Sequence, residues 1–286
     1  SLEQTSIVVI GAEQELHSFW WNFRGGELDT GTHVFFEYPQ LNALSAVHLV
    51  FLLMHGASRI ILLETQGNGN GNQRVRQSVD QVNRLFAALV DEPSSVSLST
   101  VRGYPSAAPG TGKNSFLSRR YTDLSYSNRR QKLSSMVLHA LSEVQKDIVL
   151  PAHADNIFHA IRCEENACTQ CLACLNECNI EALSADPSTL TLSWTGALCT
   201  GCGACIAVCP ENALAAGDQI LLTHQFFKPL VVARAKPMRC KGCGKVFGTR
   251  KSFDRVMEIL AKQKLDHDGH FEYCEDCRVI KLLETE

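Results

Sequence analysis

The sequence predicts three successive parts: an α/β layered domain, an α+β domain that contains a repeated cysteine motif, and a small domain that contains two cysteine pairs. In the first 150 residues, short apolar runs alternate with longer amphipathic segments, which is the pattern of parallel strands joined by crossover helices. All 13 cysteines of the 286-residue chain lie after residue 162. These changes in composition predict domains at residues 1–155, 156–225 and 226–286.

Four apolar runs of the first domain are predicted as strands. They are SIVVIG (6–11), THVFFEY (32–38), RIILLE (59–64) and SVSLSTV (95–101). Three longer segments are predicted as helices, namely QLNALSAVHLVFLLMHGAS (40–58), NQRVRQSVDQVNRLFAALVDE (72–92) and SNRRQKLSSMVLHALSEVQ (127–145). One face of the second helix carries the apolar residues Val75, Val79, Val82, Leu85, Phe86 and Leu89. This order of elements predicts a parallel sheet covered by helices.

Composition and charge exclude several classes of protein. The chain is 45% hydrophobic and 20% charged, an ordinary globular balance, and its net charge of −3 gives no overall argument for binding nucleic acid. The longest apolar stretch, ALSAVHLVFLLM (43–54), is too short to cross a bilayer, and the first residues do not have the pattern of a signal peptide. We therefore expect a soluble, cytoplasmic protein with no membrane span and no nucleic-acid partner.

Charge is distributed unevenly along the chain. Residues 156–225 contain one Lys or Arg and seven Asp or Glu, whereas residues 226–286 contain 13 and nine. An acidic middle and a basic end indicate separate modules with an electrostatically selective docking surface, or simply solvated faces.

The stretches CTQCLACLNEC (168–178) and CTGCGACIAVC (199–209) have the same cysteine spacing, 31 residues apart. The spacing C-x2-C-x2-C-x3-C is that of bacterial ferredoxins, in which three thiolates of one run bind one 4Fe–4S cluster and the fourth binds the other cluster. We therefore predict two 4Fe–4S clusters. The predicted ligands of cluster 1 are Cys168, Cys171, Cys174 and Cys209, and those of cluster 2 are Cys199, Cys202, Cys205 and Cys178.

The surroundings of the repeat refine this prediction. The second run is followed by Pro210, as in bacterial ferredoxins, whereas Asn179 follows the first run and predicts a different local geometry or potential. Zinc knuckles are the alternative, but they use cysteines in two pairs rather than in runs of four. Cys163, just before the first run, is predicted to be a packed or partly exposed thiol. The segment FFKPLVVARAKP (226–237) is predicted to be a connector.

Two further cysteine pairs lie near the end of the chain. Cys240, Cys243, Cys274 and Cys277 form a four-thiolate set of zinc-ribbon type, and we predict one structural Zn²⁺ bound by them. A single iron in a rubredoxin-like site is the alternative. His267 and His270 are close to the second pair, but four cysteines already close the coordination sphere, so we do not expect these histidines to be ligands.

Three segments of the first domain resemble functional motifs only weakly. GNGNGN (67–72) follows a predicted strand, where α/β sheets bind ligands, but it has no G-x-G-x-x-G spacing and is more typical of a surface turn. GTGKNS (110–115) differs from a P-loop because Asn114 follows Lys113 where Ser or Thr is needed. The basic run RRYTDLSYSNRRQK (119–132) indicates either a docking segment or a solvated loop that leads into a helix.

The first domain resembles the delta-subunit domain of methyl-viologen-reducing hydrogenases. The resemblance rests on LNALSAVHLVFLLMHGASRIILLE (41–64), on the polar loop that follows, and on RVRQSVDQVNRLFAALV (74–90). That domain is an electron-transfer module whose loop carries cysteines, but the loop TQGNGNGNQR (65–74) has none. The resemblance therefore implies a scaffold or docking domain without a cluster.

The order of the three parts resembles the ferredoxin-type iron–sulfur proteins that accompany bacterial formate dehydrogenases. The segments CGKVFGTRKS (243–252) and CEDCR (274–278) carry most of this resemblance. It implies an electron-transfer subunit or adaptor that relays single electrons to or from a partner oxidoreductase within a hetero-complex, and that has no catalytic residues of its own. Two alternatives stay open: a non-redox scaffold or assembly protein with structural clusters, and a redox enzyme that binds flavin or nucleotide near Gly67–Gly71.

Overall fold

The computed structural model describes residues 6–24, 33–64, 72–90, 96–104, 121–123, 125, 128–264 and 269–284. It divides into two compact units. The first comprises Ser1–His159 and Asp218–Phe227, and the second comprises Ala160–Gly217 and Lys228–Glu286. The predicted division into three domains, with boundaries near residues 155 and 225, stays a prediction.

The first unit contains a four-stranded parallel sheet. Its strands are β1 (Ser6–Gly11), β2 (His33–Glu37), β3 (Ala57–Leu63) and β4 (Val96–Ser99). The strand order is β2-β1-β3-β4, and all three pairings are parallel, as the alternation of strand and helix patterns predicts. In the middle of the sheet, Val8 of β1 lies between Val34 of β2 and Ile60 of β3.

Within the described residues of this unit, four helices have defined bounds. They are α1 (Glu13–Phe23), α2 (Ala46–Met54), α3 (Gln73–Val90) and α4 (Arg129–Val144). The predicted apolar face of α3 is confirmed, because all six of its residues are buried. Helix α1 is absent from the sequence prediction, since its buried contact is made chiefly by Phe19, while Trp20 and Trp21 are exposed and give no regular apolar period.

The helix predicted at residues 40–58 is shorter in the structure, where α2 spans only Ala46–Met54. At its start, the backbone N–H of Ser45 donates to Nδ1 of His48 at 3.1 Å, which supplies a partner for a donor at the helix terminus. Beyond its end, Gly56 has φ of 105°, a conformation that stops a right-handed helix. The sequence predicts this end, since the helix is expected to stop near Gly56. Apolar residues such as Leu41 and Leu44 precede the helix, however, so periodicity alone does not reveal its start.

The first unit also includes a short antiparallel pair made by segments distant in sequence. Strand β5 (Ile148–Pro151) pairs with β10 (Gln219–Leu222), with Ile220 opposite Leu150. Near this pair, the ring of Phe158 meets that of Phe226 edge to face at 5.7 Å. Residues 218–227 therefore pack with the first unit, although they follow the cysteine repeats in sequence.

The second unit contains short strands and, in its described residues, four helices, of which two have only four residues. Its strands are β6 (Ile161–Cys163), β7 (Leu183–Asp186), β8 (Thr191–Trp194), β9 (Leu214–Ala216), β11 (Leu230–Arg234), β12 (Pro237–Arg239) and β13 (Val246–Thr249). Its helices are α5 (Ala173–Asn176), α6 (Ala204–Ala207), α7 (Arg250–Lys262) and α8 (Glu275–Glu284). Within the described residues, no helix combines the length and apolar character that crossing a bilayer requires.

The predicted connector at residues 226–237 is corrected by the structure. Its central residues form β11, which pairs antiparallel with β8 and completes the three-stranded sheet β11-β8-β7. The segment contains the continuous apolar run 230–233, but Pro229 and Pro237 bracket it and conceal the strand signal.

We predict that Leu85→Ala, in the buried face of α3, lowers the free energy of unfolding by about 2–5 kcal/mol, because it leaves a cavity in the core. The matched control is Leu221→Ala on β10 of the same unit, whose side chain is 49% exposed; we expect a change within about 0.5 kcal/mol there. Urea unfolding followed by circular dichroism measures both. Equal losses in the two variants would contradict this account of the core.

Candidate metal centres

The duplication seen in the sequence extends to the backbone conformation of the two cysteine loops. Gln170 and Leu172 of the first loop have positive φ values of 54° and 62°, and Gly201 and Gly203, 31 positions later, have 74° and 76°. Glycine adopts this conformation without strain, whereas a side chain costs about 1–2 kcal/mol there. The first loop therefore holds the same shape as the second at a higher conformational cost.

The hydrogen bonds of the two loops repeat in the same way. Each loop leads into a helix of four residues, α5 or α6, that begins directly after Leu172 or Gly203. The N–H of Leu175 donates to the carbonyl of Leu172 at 3.0 Å, and that of Ile206 donates to Gly203 at 3.0 Å. The third cysteine of each run lies on the short helix, and the fourth follows it.

The strands that flank one cysteine run pair with the strands that flank the other run. Strand β6, which precedes the first run, pairs with β9, which follows the second run. Strand β8, which precedes the second run, pairs with β7, which follows the first run. The N–H of Glu164 donates to the carbonyl of Ala213 at 2.8 Å, and at the equivalent position Thr195 donates to Ala182 at 2.7 Å. The start of each run is thereby fixed next to the end of the other run.

One consequence is a cavity with cysteines from both copies in its wall. Cys168, Cys171 and Cys174 of the first run line it together with Cys209 of the second. The other lining residues are mainly apolar, among them Leu172, Leu192, Pro210, Ala213 and Leu214. The cavity holds the four predicted ligands of cluster 1.

The electrostatics of the buried thiols show that the two cysteine runs lie close together. Burial, followed by the charges of Cys168, Cys205, Cys171 and Cys209, raises the pKa of Cys174 to about 11. The pKa of Cys205 is also raised, first by burial and then by the charges of Cys199, Cys178 and Cys202. Thiols packed this closely cannot all ionise without cations between them. The donor set therefore fits a metal cluster, since binding metal displaces thiol protons.

Cys163 belongs neither to the repeated motif nor to the C-terminal cysteine pairs, and it interacts with Cys168 of the cavity wall. It is half-buried at the end of β6, as expected of a packed or partly exposed thiol. Burial, followed by the charge and the hydrogen bond of Cys168, raises its pKa to about 12. This thiol therefore stays protonated at neutral pH.

The four C-terminal cysteines form a tighter and different kind of site. The Sγ atoms of Cys240, Cys243, Cys274 and Cys277 all lie within 4.8 Å of one another, and those of Cys243 and Cys274 are 3.7 Å apart. With metal–sulfur bonds of about 2.3 Å, the sulfurs of a tetrahedral zinc site lie about 3.8 Å apart. A cubane separates its four thiolates by a cube of iron and sulfide. This set therefore fits a single metal ion.

The backbone around Cys240 also fits a bound cation. The N–H groups of Gly242 and Cys274 point at its Sγ, at 3.3 and 3.2 Å. Burial opposes ionisation, but these donors and that of Cys243 outweigh it and lower the pKa of Cys240 to about 6. Hydrogen bonds shared with Cys243, Cys274 and Cys240 raise the pKa of Cys277 to about 12. Binding of a metal ion would displace the remaining thiol protons of this group.

Local structure explains how the two pairs meet. Cys240 and Cys243 lie in the turn of the β12–β13 hairpin, where the N–H of Gly244 donates to the carbonyl of Cys240 at 2.9 Å. Cys274 precedes α8, and Cys277 lies in its first turn. A Cβ at Gly242 would stand 3.3 Å from Sγ of Cys277, so a larger residue here would require the hairpin and α8 to shift apart by a few tenths of an ångström. His270 is not part of the sulfur group, and His267 lies outside the described residues.

Residues 167–214 match the 4Fe-4S dicluster domain. This range contains all eight cysteines of the repeat together with strands β7 and β8. The match supports a ferredoxin-type iron–sulfur protein, and the C-terminal cysteines form a separate group that could bind a metal. No curated protein matches the chain.

The structure does not test the ligand-binding interpretations of the weak motifs in the first unit. The loop Gly67–Gly71 and residues 110–115 lie outside the described residues, as do residues 119, 120, 124, 126 and 127 of the basic run, whose last residues begin helix α4 at Arg129. The flavin or nucleotide alternative therefore stays a sequence-based hypothesis.

We predict that Gly203→Ala lowers the free energy of unfolding of the metal-free protein by about 1–2 kcal/mol, because alanine is strained at a φ of 76°. Gly248→Ala on β13 is the matched control: a Cβ at either position meets nothing within 4 Å, but Gly248 has no positive φ. Urea unfolding measures both. If the control loses as much stability, left-handed strain does not explain the conformation of the loop.

Proposed function

We propose that this protein carries single electrons through two 4Fe–4S clusters to or from a partner oxidoreductase. The observation that carries the proposal is the pair of cysteine sets that crossed strand pairing assembles from the two copies of the motif. The match of residues 167–214 to a dicluster domain supports it independently of the geometry.

In this proposal, each cluster is held by three cysteines of one run and one of the other. Cluster 1 is bound by Cys168, Cys171, Cys174 and Cys209, and cluster 2 by Cys199, Cys202, Cys205 and Cys178. When bound, such clusters supply reversible one-electron transfer. Four thiolates per cluster leave no open coordination position, so the protein residues position and insulate the clusters rather than act on a substrate.

The short helices α5 and α6 provide the contact between the two sites. They pack against each other, and the charge of Cys205 acts directly on Cys174. These two residues belong to different clusters in our assignment. An electron that enters at one set of ligands therefore has a short path to the other. Cys171 and Cys202 are exposed, one in each set, which gives each site an edge near solvent for exchange with a donor or an acceptor.

At the C-terminal site, we propose one Zn²⁺ bound by Cys240, Cys243, Cys274 and Cys277. The close packing of the sulfurs favours a single ion, and zinc prefers four thiolates in a tetrahedral arrangement. Such a site is closed and stabilises the fold. A single iron has the same ligand requirement, so metal analysis is the measurement that separates the two.

The partner and the cellular location are proposed from sequence resemblance. The order of the three parts resembles iron–sulfur proteins that accompany bacterial formate dehydrogenases, which favours an oxidoreductase of that type in a cytoplasmic hetero-complex. The first domain resembles a hydrogenase delta-subunit domain but has no cysteine. We propose that it serves as a docking or scaffold domain.

Crossed ligation predicts which double variants lose one cluster and which lose both. Cys168→Ala with Cys209→Ala removes two ligands of cluster 1, so we expect the iron content to fall by about half and one paramagnetic centre to remain. Cys199→Ala with Cys209→Ala removes one ligand from each cluster, so both centres are affected. Iron and sulfide analysis and EPR of anaerobically purified, reduced protein measure this. If the first pair disrupts both centres and the second only one, the crossed assignment is wrong.

Iron and sulfide analysis and reductive titration of the full chain test the carrier proposal directly. Anaerobic purification is expected to yield about eight irons and eight sulfides per chain, with centres that are reversibly reduced. Clusters that resist reduction would favour the scaffold alternative, and protein without iron would overturn the proposal.

For the C-terminal site, we predict that Cys277→Ser lowers the zinc content and leaves the cluster iron unchanged, because this cysteine belongs to the separate sulfur group. His270→Ala is the control and is expected to retain zinc, since His270 is outside that group. Elemental analysis by mass spectrometry reports both metals in one sample. Loss of zinc in the control, or iron in place of zinc in the unsubstituted protein, would contradict the assignment.

A further inference from the structure

The two cluster sites are alike in their cysteines but differ in the charge beside them. Crossed strand pairing puts Glu211, two residues after Cys209, in the wall of the cavity that contains the predicted ligands of cluster 1. The equivalent residue of the first copy, 31 positions earlier, is Ile180, which follows Cys178 in the same way. A carboxylate therefore lines one site, and an apolar side chain occupies the corresponding position of the other.

Glu211 is paired with a cation from the C-terminal part of the chain. Its Oε1 lies 3.2 Å from Nε of Arg255 on helix α7, and its side chain is only 17% exposed. Arg255 also contacts Glu258 at 3.1 Å, but that carboxylate is 61% exposed. Because Glu211 is largely removed from water, its ion pair with Arg255 is screened less than the pair with Glu258.

Helix α7 is fixed to the loop that carries the ligands of cluster 1. Oγ1 of Thr249 donates to the carbonyl of Thr169 at 2.9 Å in a buried position, and the same oxygen accepts from the N–H of Ser252 in the first turn of α7. Nζ of Lys251 donates to the carbonyl of Glu165 at 2.6 Å. Arg255, one turn further along, is thus held in a set position relative to Glu211 and the cavity.

The consequence is electrostatic. Reduction adds one negative charge at a cluster site, so an uncompensated carboxylate in the wall disfavours reduction and lowers the potential. We infer that Arg255 compensates Glu211 and thereby raises the reduction potential of cluster 1 more than that of cluster 2. This inference rests on the proposed function, since it requires both clusters to be present.

The test uses the full chain, purified anaerobically and titrated with dithionite while the EPR signals of the two centres are followed. Arg255→Gln leaves Glu211 unpaired, and we expect one of the two reduction steps to shift to a more negative potential. Glu211→Gln removes the carboxylate, and we expect the same step to shift the opposite way. The double variant removes both charges and is expected to return that step toward its original position.

Two further variants separate this role from a purely structural one. Arg250→Gln breaks an ion pair with Asp254 on the same helix, in which neither side chain lines the cavity, and is expected to leave both steps unchanged. Ile180→Glu places a carboxylate at the equivalent position of the other site and is expected to lower the other reduction step. Because Ile180 is 36% exposed, this change does not bury a charge in the core.

The outcomes are distinguishable. If both clusters are present but Arg255→Gln shifts neither step, or shifts both equally, the inference is overturned while the carrier proposal stands. The inference is also overturned if Arg255→Gln and Glu211→Gln shift the step in the same direction, since that result indicates a change of structure rather than of charge. If the protein contains no reducible clusters, the proposed function itself has failed.

Discussion

The architecture of the second unit depends on the crossed pairing of four short strands. Because β6 pairs with β9 and β7 pairs with β8, each copy of the cysteine motif begins beside the end of the other. The two equivalent hydrogen bonds, from Glu164 to Ala213 and from Thr195 to Ala182, fix this arrangement at the entrance of each loop. If each copy paired within itself, the eight thiolates would still be present, but the fourth cysteine of each run would lie beside its own loop.

The pairing also explains why residues far from the cysteines matter to the site. Gln170 adopts a left-handed conformation that costs energy for a side chain, and its Nε2 donates to the carbonyls of Leu190 and Ala233 at 2.8 and 3.1 Å. Those carbonyls lie next to β8 and on β11. Strand β11 therefore supports the first loop, and the extra hydrogen bonds help to offset a strain that glycine avoids in the second loop.

Two thiolate sets with different geometries share one compact unit, and they are structurally connected. The C-terminal cysteine set joins the β12–β13 hairpin to α8, while β13 continues into α7, which is bonded to the cavity loop through Thr249. The C-terminal cysteine set is therefore connected, through β13, to the helix whose charges lie beside the cavity. In this way the basic C-terminal segment is placed against the acidic cysteine domain, as their opposite net charges suggest.

Cysteine spacing alone was enough to predict the dicluster domain, because ligand geometry around a cluster demands a set number of residues between thiolates. Hydrophobic periodicity likewise predicted α3 and the four parallel strands, since burial of one face imposes that period. Other features depended on contacts between distant segments, which leave no local pattern in the sequence. They are the pairing of β5 with β10, the formation of strand β11 in the segment predicted to be a connector, and the ion pair between Glu211 and Arg255. The tertiary structure decided these, because residues 44 positions apart become neighbours only once the strands and helices have packed.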